Sequence, residues 1–306
     1  MNSITRLGSV VAASVVVAAT VAGCSSDAAS EADTTADIAT PAASDAVVAL
    51  VPEEIKARGT LRVAVPDIGA PLGYQENGEM KGMDPALGEA VAAVMGLTYE
   101  PEMVPFASTL PGLQADRYDI SYGEYYVTAE RLQVVDFVSN WQDFSSFIVP
   151  SDGDLKPESL TDVCGKPIGA MDGSVELQML QDTQASCTAA GEAEIDISAF
   201  NSISTGVLAM SSGRVDGVLV GRGAGENAID KGQPVELVGQ IGGGITATAV
   251  ARTAYSDQML EALQKAYESI IESGVYESIL EANNTAYGAI DDPTIFTADS
   301  TPPIYQ

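Results

Sequence analysis

The sequence predicts an α/β protein built as two βαβ-type lobes. Short apolar runs alternate with amphipathic segments at helical spacing, the alternation stops and restarts once in mid-chain, and 306 residues suffice for two cores. With 43 acidic and 14 basic residues the formal charge is −29, yet 46% of the chain is apolar, a composition that folds. The chain has no histidine, which excludes Ser-His-Asp triads, Cys-His pairs and His-ligated zinc. No catalytic residue, metal ligand or cofactor is therefore assigned. So negative a field repels phosphate backbones, so nucleic acid is not an expected partner.

Residues 1–23 read as a secretion signal. Arg6 is the only charge before Asp27, and the run from Leu7 to Gly23 is apolar or small but short for a membrane span. It ends in Val21-Ala22-Gly23-Cys24, which resembles the lipobox of bacterial lipoproteins and implies lipidation at Cys24. The alternative is an ordinary secretory signal with an incidental cysteine. Residues 24–53, rich in Ala, Ser, Thr, Asp and Pro, read as a flexible acidic tether. With Cys24 acylated, Cys164 and Cys187 are the remaining thiols. In an exported setting pairing is the default, two buried free thiols being the alternative.

The first lobe opens with the strand Thr60–Val65. Asp84 as N-cap and Pro85 in the first turn start a helix with Leu87, Val91, Val94 and Met95 at helical spacing, stopped at Gly96. A strand near 98–104, a short helix near 110–115 and a strand at 118–121 follow. The second lobe repeats the rhythm: strand 167–171, helix 174–185, strand 194–198, helix 202–210, strand 216–220, then a helix after Gly223. A strand near 246–251 precedes the helix 256–272, whose Leu260, Leu263, Tyr267, Ile270 and Ile271 form a core stripe, and a helix over 275–283. The tail 291–306 has no periodicity.

The ordered segments LRVAV (61–65), GMDPALGEAVAAVMGL (82–97), TLPGLQADRYDIS (109–121), VTAERLQVVDF (127–137), GKPIGAMDGSVELQML (165–180), GRVDGVLV (213–220) and ESGVYESIL (272–280) resemble the amino-acid-binding proteins of bacterial ABC importers, solute-binding family 3. The resemblance covers about residues 54–288. It implies the two-lobed periplasmic-binding-protein-like fold (type II), its lobes joined by two crossing segments, with lobe 1 at 54–141 plus 246–290 and lobe 2 at 142–245.

The resemblance also implies a ligand site between the lobes. Thr128-Ala129-Glu130-Arg131 matches a T-P-E-R stretch whose arginine clamps the ligand carboxylate, a task suited to a planar guanidinium. Gly173-Ser174-Val175 matches a G-T-T turn that binds the same carboxylate at a helix N-terminus, while Ser174 alone also reads as an N-cap. Phe106 falls where the family often has an apolar wall. Three departures stand out. Gly221, followed by Arg222, replaces the aspartate that takes the ligand's ammonium, Gly69 replaces a covering aromatic, and Gly123-Glu124-Tyr125-Tyr126 replaces S-G-M-T. Glu124 is the candidate replacement partner for a cation and Tyr126 a candidate cation-π wall. The opposing reading pairs Glu124 with Arg222 and makes the ligand an acid without an amine.

The function expected is a monomeric, lipid-anchored extracytoplasmic receptor. It binds a small, carboxylate-bearing, amino-acid-like ligand for a membrane ABC permease and makes or breaks no bond. A sensory receptor for a membrane signalling partner and a dehydratase-type lyase using Glu124 are the alternatives.

Overall fold

The computed structural model describes residues 39–305. In chain order its elements are α1 (Asp45–Leu50), α2 (Glu53–Arg58), β1 (Thr60–Pro66), β2 (Tyr74–Glu76), β3 (Glu79–Lys81), α3 (Met83–Val94), β4 (Thr98–Val104), α4 (Phe106–Gln114), β5 (Ile120–Tyr126) and β6 (Asp136–Pro150). There follow β7 (Pro167–Met171), α5 (Val175–Ala190), β8 (Asp196–Phe200), α6 (Ile203–Ser211), β9 (Gly217–Gly221), α7 (Arg222–Asp230), β10 (Val235–Val250), α8 (Ser256–Glu272), α9 (Val275–Ala282) and β11 (Ile295–Phe296).

All strands but the β2–β3 hairpin join one sheet in the order β4-β1-β5-β10-β6-β9-β7-β8, with β11 added on β6. The triplets β4-β1-β5 and β8-β7-β9 are parallel, and in each the strand that comes first in the chain lies in the middle. Helical crossovers return the chain to the same sheet, which is why parallel strands need them. The long antiparallel strands β6 and β10 run between the triplets, β10 against β5 and β6 against β9. Their mutual register shifts between Val238 and Gly242, where Gly239 and Gly242 take positive φ, and again between Thr246 and Ala247.

Ligand-sized space in such a sheet lies beyond the carboxyl ends of the parallel strands. Here β1, β5, β7 and β9 all end at one cleft. A large core surrounds α3, α8 and the central strands, and a smaller one packs Phe147, Leu180, Leu219 and their neighbours around a disulfide between Cys164 and Cys187.

Three expectations are corrected. The tether assigned to residues 24–53 does not extend through its last part: 45–50 is a helix whose Val47 is buried, with Ser44 N–H donating to the Val94 carbonyl. Local composition hid this because the burial is supplied by α8, far along the chain. Asp84 is not a cap. The helix starts at Met83, its Met83 and Asp84 amides donate to the Pro71 and Leu72 carbonyls, and the Asp84 side chain turns into the core. The aperiodic tail is docked: β11 pairs with β6 at Phe137 and Val138, and the Tyr305 hydroxyl donates to the Ile245 carbonyl and accepts from Val127 N–H. Cys24 and the signal segment lie outside the described residues.

The disulfide spans 23 positions, so replacing both Cys164 and Cys187 by alanine should lower the unfolding free energy by roughly 3 kcal/mol. Chemical denaturation of oxidised protein and the double variant measures it, and equal midpoints would refute a structural role.

Candidate functional site

The cleft encloses about 520 Å³, its opening to solvent included. Each lining group comes from a chain segment that leaves a strand's carboxyl end or crosses between the triplets. Apolar walls are Ile68, Leu72, Phe106, Met171 and Ile203, while the polar groups are Arg131, Tyr126, Ser174 and three acids, Glu124, Asp143 and Glu176.

Arg131 sits in a 3-10 turn after β5, where the Thr128 hydroxyl accepts from its backbone N–H at 3.2 Å. One guanidinium N–H donates to the Tyr126 carbonyl at 2.9 Å and another to the Gly173 carbonyl at 3.2 Å, so it bridges the two triplets. Its plane lies 5.8 Å from the Phe106 ring centroid and 5.4 Å from that of Tyr125. Burial pushes its pKa down, but from a value so high that it stays charged. Among the described residues it forms no ion pair, and of a guanidinium's five N–H donors only two are occupied. An anion arriving in the cleft meets a positioned cation with free donors.

On β5 the chain is bent to bring an acid inward. Gly123 has φ 141° and Glu124 φ 53°, a left-handed conformation costly for a glutamate. A Cβ on Gly123 would stand 2.9 Å from Pro66, so the strand can pack there only with glycine. The Glu124 carboxyl accepts from the Thr246 hydroxyl at 3.1 Å, with the Asp84 carboxyl as its acidic neighbour. Both Asp84 oxygens and Glu124 Oε1 are buried without a hydrogen-bond partner. Burial first, and the neighbouring Asp84 charge second, push Glu124 well above the usual carboxylate range, while burial raises Asp84 to about 6.

Asp143 enters from mid-β6 and is 1% exposed. The Tyr287 hydroxyl donates to its Oδ1 at 3.0 Å, and Gly223, in the first turn of α7, lies close to it. Burial raises its pKa to about 7. A Cβ at Gly221 would lie 2.5 Å from Asp143 Oδ2, so Asp143 fills the space that a side chain at 221 would enter. Glu176, in the first turn of α5, accepts from the Ser145 hydroxyl at 2.8 Å. The Tyr126 phenol is buried beside Ser145 without a well-formed hydrogen bond.

The structure thus brings together Arg131, Glu124, Tyr126, Phe106, Ser174 and Val175. Ser174 is the N-cap of α5, accepting from Leu177 N–H at 3.1 Å, and Gly173 contributes its carbonyl to Arg131. Thr128 positions the arginine from outside the lining. Arg222 is not part of the site: it pairs with Glu226 and lies over the Tyr287 ring, so the expected alternative of an Arg222–Glu124 pair is not formed. Sequence reading missed Asp84, Asp143 and Glu176. A lone aspartate amid Trp141, Phe144, Phe147 and Ile148 is a signal for the second, since an acid in a buried strand needs a reason.

A cleft between two parallel-stranded halves of one crossed sheet, with an unpaired arginine facing buried carboxyls, defines a two-lobed solute-binding protein of the type II periplasmic fold. The chain belongs to the bacterial extracellular solute-binding proteins, family 3, whose family model matches residues 61–284. It is 25% identical over 256 residues to the arginine-binding protein ArgT of Corynebacterium glutamicum, covering 81% of each chain. It is similar to an ancestral arginine-binding protein bound to arginine, with 28% identity, TM-score 0.66 and coverage of 74% of this chain and 98% of that one. The fold is also shared with an ancestral amino-acid-binding protein that is a precursor of cyclohexadienyl dehydratase, at 21% identity, TM-score 0.67 and coverage of 76% and 98%.

The raised Asp143 pKa fixes the sign of a pH effect. The folded state holds this proton up to about 7 and the unfolded chain only up to 3.8, so the neutral acid's contribution is complete below 3.8 and lost as pH rises through 7. On the order of 4 kcal/mol is involved. Ligand-free protein should therefore melt higher at pH ~5.5 than at ~7.5, with the difference reduced in Asp143→Asn. Thermal melts across that range check this, and a slope unchanged by the substitution would refute it.

Proposed function

We propose that the protein is the ligand receptor of an ABC importer for a cationic amino acid. One observation carries this reading: a guanidinium with no ion pair lines the same cleft as Glu124, Asp143 and Glu176. Arg131 takes the ligand's α-carboxylate, with Ser174 and the first turn of α5 on the other side. The acids take its positive groups, of which a basic amino acid brings two. A desolvated cation without a carboxylate would lose several kcal/mol, and an anionic side chain would meet three acids. Relatives bearing the name arginine-binding, and the solved arginine complex, support the same class of ligand.

In this reading residues 54–141 with 246–290 form one lobe and 142–245 the other, and β6 and β10 are the crossings about which they close. Arg131 already touches both triplets, so closure adds ligand contacts from each side, and the closed state is the one that satisfies them all. The closed receptor is presented to a membrane permease, and Cys24 carries the lipid that keeps it there. Of the alternatives, the lyase draws on Glu124, an acid kept protonated by burial, and steady turnover of a bound ligand would establish it in place of the receptor.

L-arginine or L-lysine at ~100 times its dissociation constant should stabilise the purified protein by about 2.7 kcal/mol, and Arg131→Ala should remove the effect. Thermal shift against basic, neutral and acidic amino acids reads this. Stabilisation by acidic or neutral ligands alone would reject the cationic class. For the anchor, Cys24→Ser should abolish acyl labelling of the expressed chain; normal labelling of the variant would refute it.

A further inference from the structure

Asp84 is the one acid in this region with no place in the ligand contacts above. It is 0% exposed, lies in the first turn of α3, and is absent from the cleft lining. Its neighbour in the site is Glu124, whose backbone is left-handed, and both Asp84 oxygens and Glu124 Oε1 are buried without a hydrogen-bond partner. Among the described residues no Lys or Arg lies within ion-pair distance of either carboxyl. Two ionised acids in contact in a dry interior repel, so one proton must lie between them. The surroundings cannot supply a counter-charge. The phenols facing the pair are Tyr122, Tyr125 and Tyr126 of β5, Tyr99 of β4, Tyr267 of α8, and Tyr276 and Tyr287 at and after the start of α9, all kept neutral by burial. The other facing acid is Asp143 of β6.

We propose that Asp84 and Glu124 act as one unit with one proton and one negative charge, which forms the subsite for the ligand's cationic ammonium or guanidinium head and releases it on taking up a second proton. This rests on the cationic-ligand reading and adds to it a residue and a pH response. In the empty cleft the proton lies on Glu124 and the charge on Asp84. A cation arriving at Glu124 draws the charge to the cleft side, and the O–H proton moves from Glu124 to Asp84, so that the buried pair never carries two charges. No proton enters or leaves the protein in that step. Below about pH 6 a proton from solvent neutralises the pair, the subsite loses its charge, and the cation leaves. Asp84 acts through Glu124 and is a positioning residue. The unpaired, buried Tyr126 phenol beside Glu124 in the lining is a second polar group with an unfilled position in the same corner of the cleft.

Two measurements test the proposal. Infrared spectra of ligand-free protein at about pH 8, where Asp143 is ionised, should show the stretch of a buried protonated carboxyl, lost in Glu124→Gln and also in Asp84→Asn because the proton needs both. Absence of the band, or its survival in both variants, overturns the shared proton, and the unsubstituted protein gives this answer even where a variant does not fold. The affinity for L-arginine should fall about tenfold per pH unit below ~6, and Asp84→Asn should move that fall to higher pH, since Glu124, which holds the shared proton in preference to Asp84, alone takes one up at a higher pH than the pair takes up its second. A fall left in place by Asp84→Asn overturns the proposal while the importer-receptor reading stands. Binding of neutral amino acids with none of L-arginine or L-lysine at any pH rejects the cationic reading and the proposal with it.

Discussion

Charge held out of water in one cleft, without its counter-charge attached, is the constraint from which the rest of this structure follows. Arg131 is kept where burial disfavours its charge, and it lacks a carboxylate partner although acids line the same space. A self-contained fold would collapse these groups onto each other. What prevents it is placement on separate elements: the guanidinium is tied to two backbone carbonyls and packed on Phe106 and Tyr125, while each acid is tied to its own hydroxyl. The unsatisfied attraction is then available to a ligand that carries both signs.

The crossed strands make that separation possible. β6 passes from the core beside α8 to the core around the disulfide, and Asp143 lies along it opposite Gly244 of β10. Glycine at 221 leaves the space that the carboxylate needs, since a Cβ there would strike Asp143 Oδ2, while one on Gly244 would press on the Tyr305 ring.

Much of the scaffold was legible because each signal was local. The apolar runs of β1, β7 and β9 and the Ser174 cap form where the pattern puts them, and the core stripe of α8 is buried at Leu260, Leu263, Tyr267 and Ile270. Arg131 and Ser174 were legible from motif. Asp84 misled because Asp-Pro is a common helix opening, whereas the loop carbonyls of Pro71 and Leu72 cap α3, and Gly82, whose φ is 115°, starts it earlier. Asp143 was out of reach for a different reason. It answers the glycine at 221 from a strand far away in sequence, and no spacing rule links residues brought together by a crossing.

The surface and the cleft now have a common sign. A formal charge of −29 draws cations toward the molecule from a distance set by the ionic strength, and the acids of the cleft continue that gradient inward. The long-range field does not discriminate among cations, however, and falls off in salt. Selection has to come from contacts made after desolvation, and in the proposed reading Arg131 requires a carboxylate at a fixed distance from the positive group that reaches Glu124. Attraction is thus a property of the whole chain, and recognition belongs to the few groups that the crossing strands hold apart.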